Sequence, residues 1–258
     1  MDFTHRDLRT VGKRVFRLGL AANYGIDEAG IRGAFDRGVN YVFFTPRGSM
    51  AKPLREHLAR DRDKLVVACG PTVGWFGSSV RRSAERTLKK LGTDYLDVFQ
   101  LNWLGVGAAW NDGTLKELRH LKESGKVRAL GVSIHDRERA GKLAEDSPLD
   151  LLMIRYNAAH PGAERDIFPR LAKRQPTIVA YTATSWRKLL RRPRGWDGKL
   201  PTAGDCYRFC LSSPHVDLVL CGPASTAQLD ENLAALEHGP LTAEEDTWLR
   251  NFGQVVHG

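Results

Sequence analysis

Short apolar runs recur along this chain, and between them lie stretches in which apolar residues are spaced by three and four. The runs cover 17–21, 41–44, 65–69, 98–101, 129–132, 151–154, 177–181 and 218–221. Each is rich in Val, Ile, Leu or Phe and lacks in-out alternation, the pattern of parallel strands buried on both faces. Asp27 is placed to cap a helix that runs to Arg37 and stops at Gly38. A short second helix is expected at 53–60. Longer ones follow at 79–91, ending at Gly92, and at 114–124, ending at Gly125. The remaining patterns cover 137–145, 164–174, 203–211 and 226–236, with a last amphipathic stretch at 243–252. Eight strands alternating with eight helices predict a closed (β/α)8 TIM barrel. No linker, low-complexity segment or repeat divides 1–258, so one domain is expected.

In such a barrel the chemistry sits on the loops after the strands' C-terminal ends. Five of the six tryptophans fall there: Trp75, Trp103, Trp110, Trp186 and Trp196. Their gathering at one end predicts a pocket lined by apolar and aromatic groups.

Composition narrows the class without choosing a chemistry. Hydrophobic content of 42% and charged content of 27% are ordinary for a globular chain. No apolar run approaches a membrane span, and the first ten residues lack an apolar signal core, so a cytoplasmic protein is expected. Cys69, Cys206, Cys210 and Cys221 have no metal-binding spacing and read as free thiols. The net charge of +9 suits phosphate-bearing ligands, a dinucleotide or a nucleic acid. Nucleic acid is the less favoured, because the basic run 187–194 is short and no binding module is present.

Several segments carry a resemblance. Gly38-Val39-Asn40-Tyr41 leads into the second strand. Leu91-Gly92-Thr93-Asp94-Tyr95-Leu96-Asp97-Val98-Phe99-Gln100-Leu101-Asn102-Trp103 leads through the fourth. Gly125 to Ser133 reads GKVRALGVS, Tyr156-Asn157 and Ala180-Tyr181 end strands six and seven, and Gln228 to Asn232 lies near the C-terminus. In this order and spacing the chain resembles the aldo-keto reductases over nearly its whole length.

The resemblance implies hydride transfer between a nicotinamide and a carbonyl, with a tyrosine as proton donor. A lysine paired to an aspartate lowers that tyrosine's pKa, and a histidine orients the substrate oxygen. Carried over by position, the aspartate site is Phe43, the tyrosine site Gly48, the lysine site Gly70 and the histidine site Asn102. All four side chains are replaced.

The cofactor end is better kept. By the same resemblance Ser133 faces the nicotinamide carboxamide and Tyr181 stacks on its ring, whereas the strand-six glutamine is Met153 and the asparagine after Ser133 is Ile134. Gly222-Pro223-Ala224-Ser225 offers backbone N–H groups at a helix N-terminus, a phosphate cradle. Glu231 and Asn232 match adenine contacts. Ala224 and Gln228 stand where a basic residue grips the 2′-phosphate of NADP, and Arg187 and Lys188 are candidates to contact phosphates instead. NADP and NAD both remain open as the cofactor.

If chemistry survives, Arg47, Asn102 and Tyr24 are the candidate catalytic groups, with His135 a further acid after strand five. Three readings stand: an oxidoreductase that binds NAD(P)H and acts on a small, partly apolar substrate with a non-standard proton donor; a non-redox lyase, isomerase or cyclase; and a non-catalytic cofactor- or metabolite-binding protein. Fold does not choose among them.

Overall fold

The apolar runs become strands of a closed, all-parallel barrel in a computed structural model that describes residues 2–257. A two-stranded hairpin, β1 (His5–Leu8) and β2 (Lys13–Phe16), comes first. The barrel strands are β3 (Leu18–Leu20), β4 (Tyr41–Phe43), β5 (Val66–Cys69), β6 (Leu96–Leu101), β7 (Val127–Ile134), β8 (Leu151–Arg155), β9 (Thr177–Tyr181) and β10 (Leu218–Cys221). They pair in chain order, and β10 closes on β3 through Val219 opposite Leu18 and Leu220 opposite Gly19. The (β/α)8 expectation is met, with strand ends shifted by a residue or two as hydrogen-bond geometry resolves them.

The helices are α1 (Glu28–Asp36), α2 (Ala51–Arg60), α3 (Gly77–Leu91), α4 (Asp112–Glu123), α5 (Arg137–Glu145), α6 (Ala163–Asp166), α7 (Ala203–Ser212), α8 (Thr226–Glu237) and α9 (Ala243–His257). Asp27 caps α1 through Gly30 N at 2.8 Å, as its position before the apolar pattern implied. Gly92 ends α3 in the left-handed region at φ +64°, where a side chain would be strained.

One helix departs from expectation. The pattern at 164–174 predicted a full sixth helix, but α6 has four residues and a 3-10 turn, Phe168–Arg170, follows it. Pro169 supplies no N–H and disfavours helical backbone at Phe168, so the apolar spacing could not propagate. The hairpin was also not expected, because its strands are short and mostly polar. Its Leu8, Val11 and Val15 close the N-terminal end of the lumen and join Tyr41, Val66, Val98, Leu151, Met153, Val179 and Leu218 in the inner core.

A buried ion cluster ties this end together. Asp97 on β6 is fully buried and accepts from Lys13 Nζ (2.9 Å), Arg62 (2.8 Å) and Val67 N (2.9 Å). The hairpin, the segment before β5 and β5 itself therefore meet on one carboxylate. The four cysteines are buried and free, as expected. Among the described residues, no helix is long and apolar enough to cross a membrane.

Candidate functional site

Strand alternation decides which side chains reach the C-terminal mouth. On β8, Leu151 and Met153 belong to the inner core while Leu152 and Ile154 face the helices, so Arg155 returns to the lumen side. The same count puts Tyr181 on β9 beside it, in register. The mouth opens into a 590 Å³ cleft, within the range of small-molecule sites. Phe43, Met153 and Tyr181 floor it. Trp186 and Arg187 form one wall, and Tyr24, Gly222, Ala224, Gln228, Glu231 and Asn232 form the other.

At two of the positions to which the resemblance assigned catalytic side chains, Gly48 and Gly70, the backbone leaves little room for one. A Cβ on Gly70 would overlap the Gln100 carbonyl oxygen and stand 2.8 Å from Asn102 Nδ2. Gly48 holds φ +87°, with Ala22 O 3.2 Å from where a Cβ would stand. A tyrosine there would be strained. Phe43 fills lumen space. The Asn102 amide is held from two sides: Oδ1 accepts from Gln100 Nε2 at 3.1 Å, and Nδ2 donates to Pro71 O at 3.3 Å. One N–H of Asn102 remains uncommitted. Gln100 reaches Met153 Sδ at 3.4 Å, and its buried Oε1 has no partner among the described residues.

Beside the cleft an aromatic group surrounds His135. Tyr181 Oη lies 2.6 Å from His135 Nε2, Trp186 is parallel to the imidazole at 6.4 Å, and Trp103 lies at 6.2 Å. Burial, and then the Arg155 cation, hold His135 below the usual imidazole range. The neutral ring is thereby favoured, and its Nε2 shares a hydrogen bond with the Tyr181 hydroxyl. Burial pushes the Tyr181 phenol upward, with Arg155 opposing. The loop that carries Trp186 is strained: Thr182, Ser185, Trp186 and Arg187 all have positive φ, between 49° and 68°. Such backbone persists where surrounding contacts enforce it, often around ligand sites.

His160 behaves similarly at the end of the next loop. Burial, then Arg155 and His257, lower its pKa from 6.5 to about 4. The unfolded chain takes up this proton first as pH falls, so stability declines from about pH 6.5 and levels off below about 4. Melting temperatures measured across that window should fall less steeply in His160→Gln than in the unaltered chain. Equal slopes would remove His160 from this account.

Not every expected residue reaches the cleft. Ser133 is outside the cleft lining: its buried hydroxyl accepts from Trp103 N at 2.6 Å and anchors the loop after β6. Arg47 is exposed and outside the cleft lining. Tyr24 does line the cleft, its ring lying against Gly222. At the phosphate end, Ser225 caps α8 through Gln228 N (3.3 Å), and Gln228 Oε1 takes the Ala224 N–H (2.9 Å). The N–H groups of Thr226 and Ala227 at the start of α8 stay open. Buried Asn232 donates to Cys221 Sγ at 3.3 Å, and Glu231 is exposed. Among the tryptophans, Trp75, Trp103 and Trp186 are exposed at the mouth, whereas Trp110 and Trp196 pack on the outer core. Sequence reading had no role for Arg155, although the alternation of 151, 153 and 155 was the signal that placed it.

The family model described as "Aldo/keto reductase family" matches residues 21–191, more than half of the chain. The aldo-keto reductase YhdN of Bacillus subtilis is 26% identical over 167 residues, covering 58% of this chain and 50% of that protein. The chain thus spans half the length of that relative. An L-glyceraldehyde 3-phosphate reductase of Escherichia coli O157:H7 is 29% identical over 296 aligned residues, covering 88% of this chain and 85% of that protein. Among solved structures, the holo form of aldo-keto reductase AKR11C1 from Bacillus halodurans superposes with a TM-score of 0.80 at 22% identity. That match covers 96% of both chains, and the likeness speaks to the fold.

Proposed function

The chain belongs to the aldo/keto reductase family, and on that premise we propose that it is a nicotinamide-dependent oxidoreductase whose proton-transfer site has been rebuilt. One observation carries this reading. One cleft at the mouth joins Tyr181 and Arg187 on one side to Gly222, Gln228, Glu231 and Asn232 on the other.

The donor set suits a dinucleotide. Arg187 and the open N–H groups of Thr226 and Ala227 offer three donors toward a pyrophosphate. The Asn232 amide and the Glu231 carboxylate offer one donor and one acceptor toward a base. The Tyr181 ring, with Phe43 and Met153 beneath it, offers an apolar seat for a nicotinamide. Bound there, the cofactor supplies the hydride. With Gln228 already engaged by Ala224, no cation stands at the expected 2′-phosphate position, so NADH and NADPH are both candidates.

The chain's own groups do the rest. Asn102 points its uncommitted N–H where the family uses histidine, so it orients a carbonyl oxygen without exchanging protons. The hydrogen-bonded Tyr181–His135 pair and the exposed Tyr24 phenol are the groups that can move one. A phenol pushed upward by burial is a reluctant acid near neutral pH. General acid catalysis contributes ~10²–10⁴-fold, so NADPH-dependent reduction of simple aldehydes should fall short of an intact-tetrad relative by about that factor. Closure of Gly70 favours one second reading, a cofactor-binding protein without turnover.

Quenching of tryptophan emission by NADPH and NADH tests the reading, since Trp186 lines the cleft. Saturable quenching, diminished in Trp186→Phe, is the expected result. No quenching by either cofactor would direct attention to non-redox chemistry on this barrel. Robust turnover of a generic aldehyde, unchanged by substitutions at Tyr24, Asn102 and Tyr181, would overturn the rebuilt site.

A further inference from the structure

Arg155 is a partly buried arginine whose charge has no counterpart. It ends β8 on the lumen side, in register with Tyr181, and makes no salt bridge or hydrogen bond among the described residues. Several other buried or half-buried arginines are matched. Arg208 forks onto Glu245 at 2.8 and 2.9 Å, Arg62 meets Asp97, and Arg17 is caged by four backbone carbonyls. Desolvating a guanidinium without a partner is costly, so one held at the C-terminal mouth of the barrel, next to the cleft residue Tyr181, leaves a specific place for an anion.

The surroundings agree. Arg155 lies opposite Tyr181 in the ladder, and the Tyr181 hydroxyl meets His135 Nε2 at 2.6 Å. The nearby side chains of Arg187 and Lys188 likewise make no ion pair among the described residues, whereas Arg137 is taken by Asp166. Beyond Tyr181 lie the indoles of Trp103 and Trp186, an apolar flank for the remainder of a small molecule.

We propose that Arg155 recognises an oxyanion on the substrate, a carboxylate or a phosphate, and sets it beside the Tyr181–His135 pair. The proposal rests on the reading of the cleft as a cofactor site, because it assigns the anion to the substrate and leaves the dinucleotide to Arg187 and the start of α8. A planar guanidinium holds either oxyanion through two parallel hydrogen bonds, which an ammonium at the same place reproduces only as a point charge.

Calorimetric titrations with inorganic phosphate and with oxalate test it, each run on the protein alone and on the protein saturated with whichever of NADPH or NADH binds. The unaltered chain should bind one or both anions with 1:1 stoichiometry, and should still do so with cofactor present. Arg155→Gln should weaken that binding at least tenfold, and Arg155→Lys should recover part of it. The preferred anion identifies the substrate's headgroup. Failure of the unaltered chain to bind either anion, or equal binding by Arg155→Gln, would overturn the proposal. So would loss of cofactor affinity in Arg155→Gln, which would make Arg155 a cofactor residue. If no cofactor binds but the Arg155-dependent anion site persists, the cofactor reading fails while the anion site itself stands.

Discussion

Replacing Gly70 by lysine, the residue that would restore the family's cation, should destabilise the protein by about 3 kcal/mol or more and yield no gain in aldehyde reduction. The obstacle is the first side-chain carbon, which would overlap the Gln100 carbonyl oxygen and press on Asn102. Backbone on the neighbouring strand cannot yield as a flexible side chain can. Gly70→Ala should therefore show most of the same loss in urea unfolding, which separates the steric effect from that of the lysine charge. If Gly70→Lys unfolds at the same denaturant concentration as the unaltered chain, the site is adaptable and the closed-position argument fails. On the proposed reading, Gly70→Lys alone would not return the family's usual mechanism. Gly48 at φ +87° and Phe43 in the lumen make the other two positions similarly resistant.

Asp97→Ala should be about equally severe, at about 3–5 kcal/mol, because it leaves Lys13 and Arg62 facing each other with no anion between them. The carboxylate also satisfies the Val67 N–H, which would become an unpaired buried donor. Loss of that magnitude is a large part of a typical domain's stability, so chemical denaturation in urea is the suitable measurement. A cost under about 1 kcal/mol would mean that water reaches the cluster. Asp97 lies near the start of β6, and Asn102 immediately follows its end. One strand thus links a structural carboxylate at the bottom of the barrel to Asn102 at the top.

Much of the barrel was legible because parallel strands buried on both faces leave continuous apolar runs, and because Asp27, Gly92 and Gly125 punctuate the helices between them. The sixth helix was not, since its apolar spacing survives in sequence while Pro169 breaks the hydrogen bonds that spacing presumes. The hairpin was missed for a different reason: only Leu8, Val11 and Val15 point inward, too few to register as a pattern. At the site, the resemblance supplied the positions but not the orientations. It led to Ser133 as a cleft residue, whereas the hydroxyl takes a hydrogen bond from Trp103 N and lies outside the cleft lining. It treated Tyr181 as a ring alone, and the hydroxyl's engagement with His135 required a contact between strands β7 and β9 that no local pattern encodes. Arg155 was invisible because an unpaired charge is defined by what is absent around it.

We propose that the cleft between Tyr181 and α8 holds a nicotinamide dinucleotide while Gly48 and Gly70 are closed to the family's tyrosine and lysine. Calorimetric titration of NADPH and NADH into the unaltered chain and into Gly222→Leu tests this most directly, because a side chain on Gly222 would collide with the Tyr24 ring and fill the cleft. Submicromolar 1:1 binding of at least one cofactor, weakened at least tenfold in Gly222→Leu, is the predicted result. Absence of binding by the unaltered chain, or equal affinity in Gly222→Leu, would contradict it.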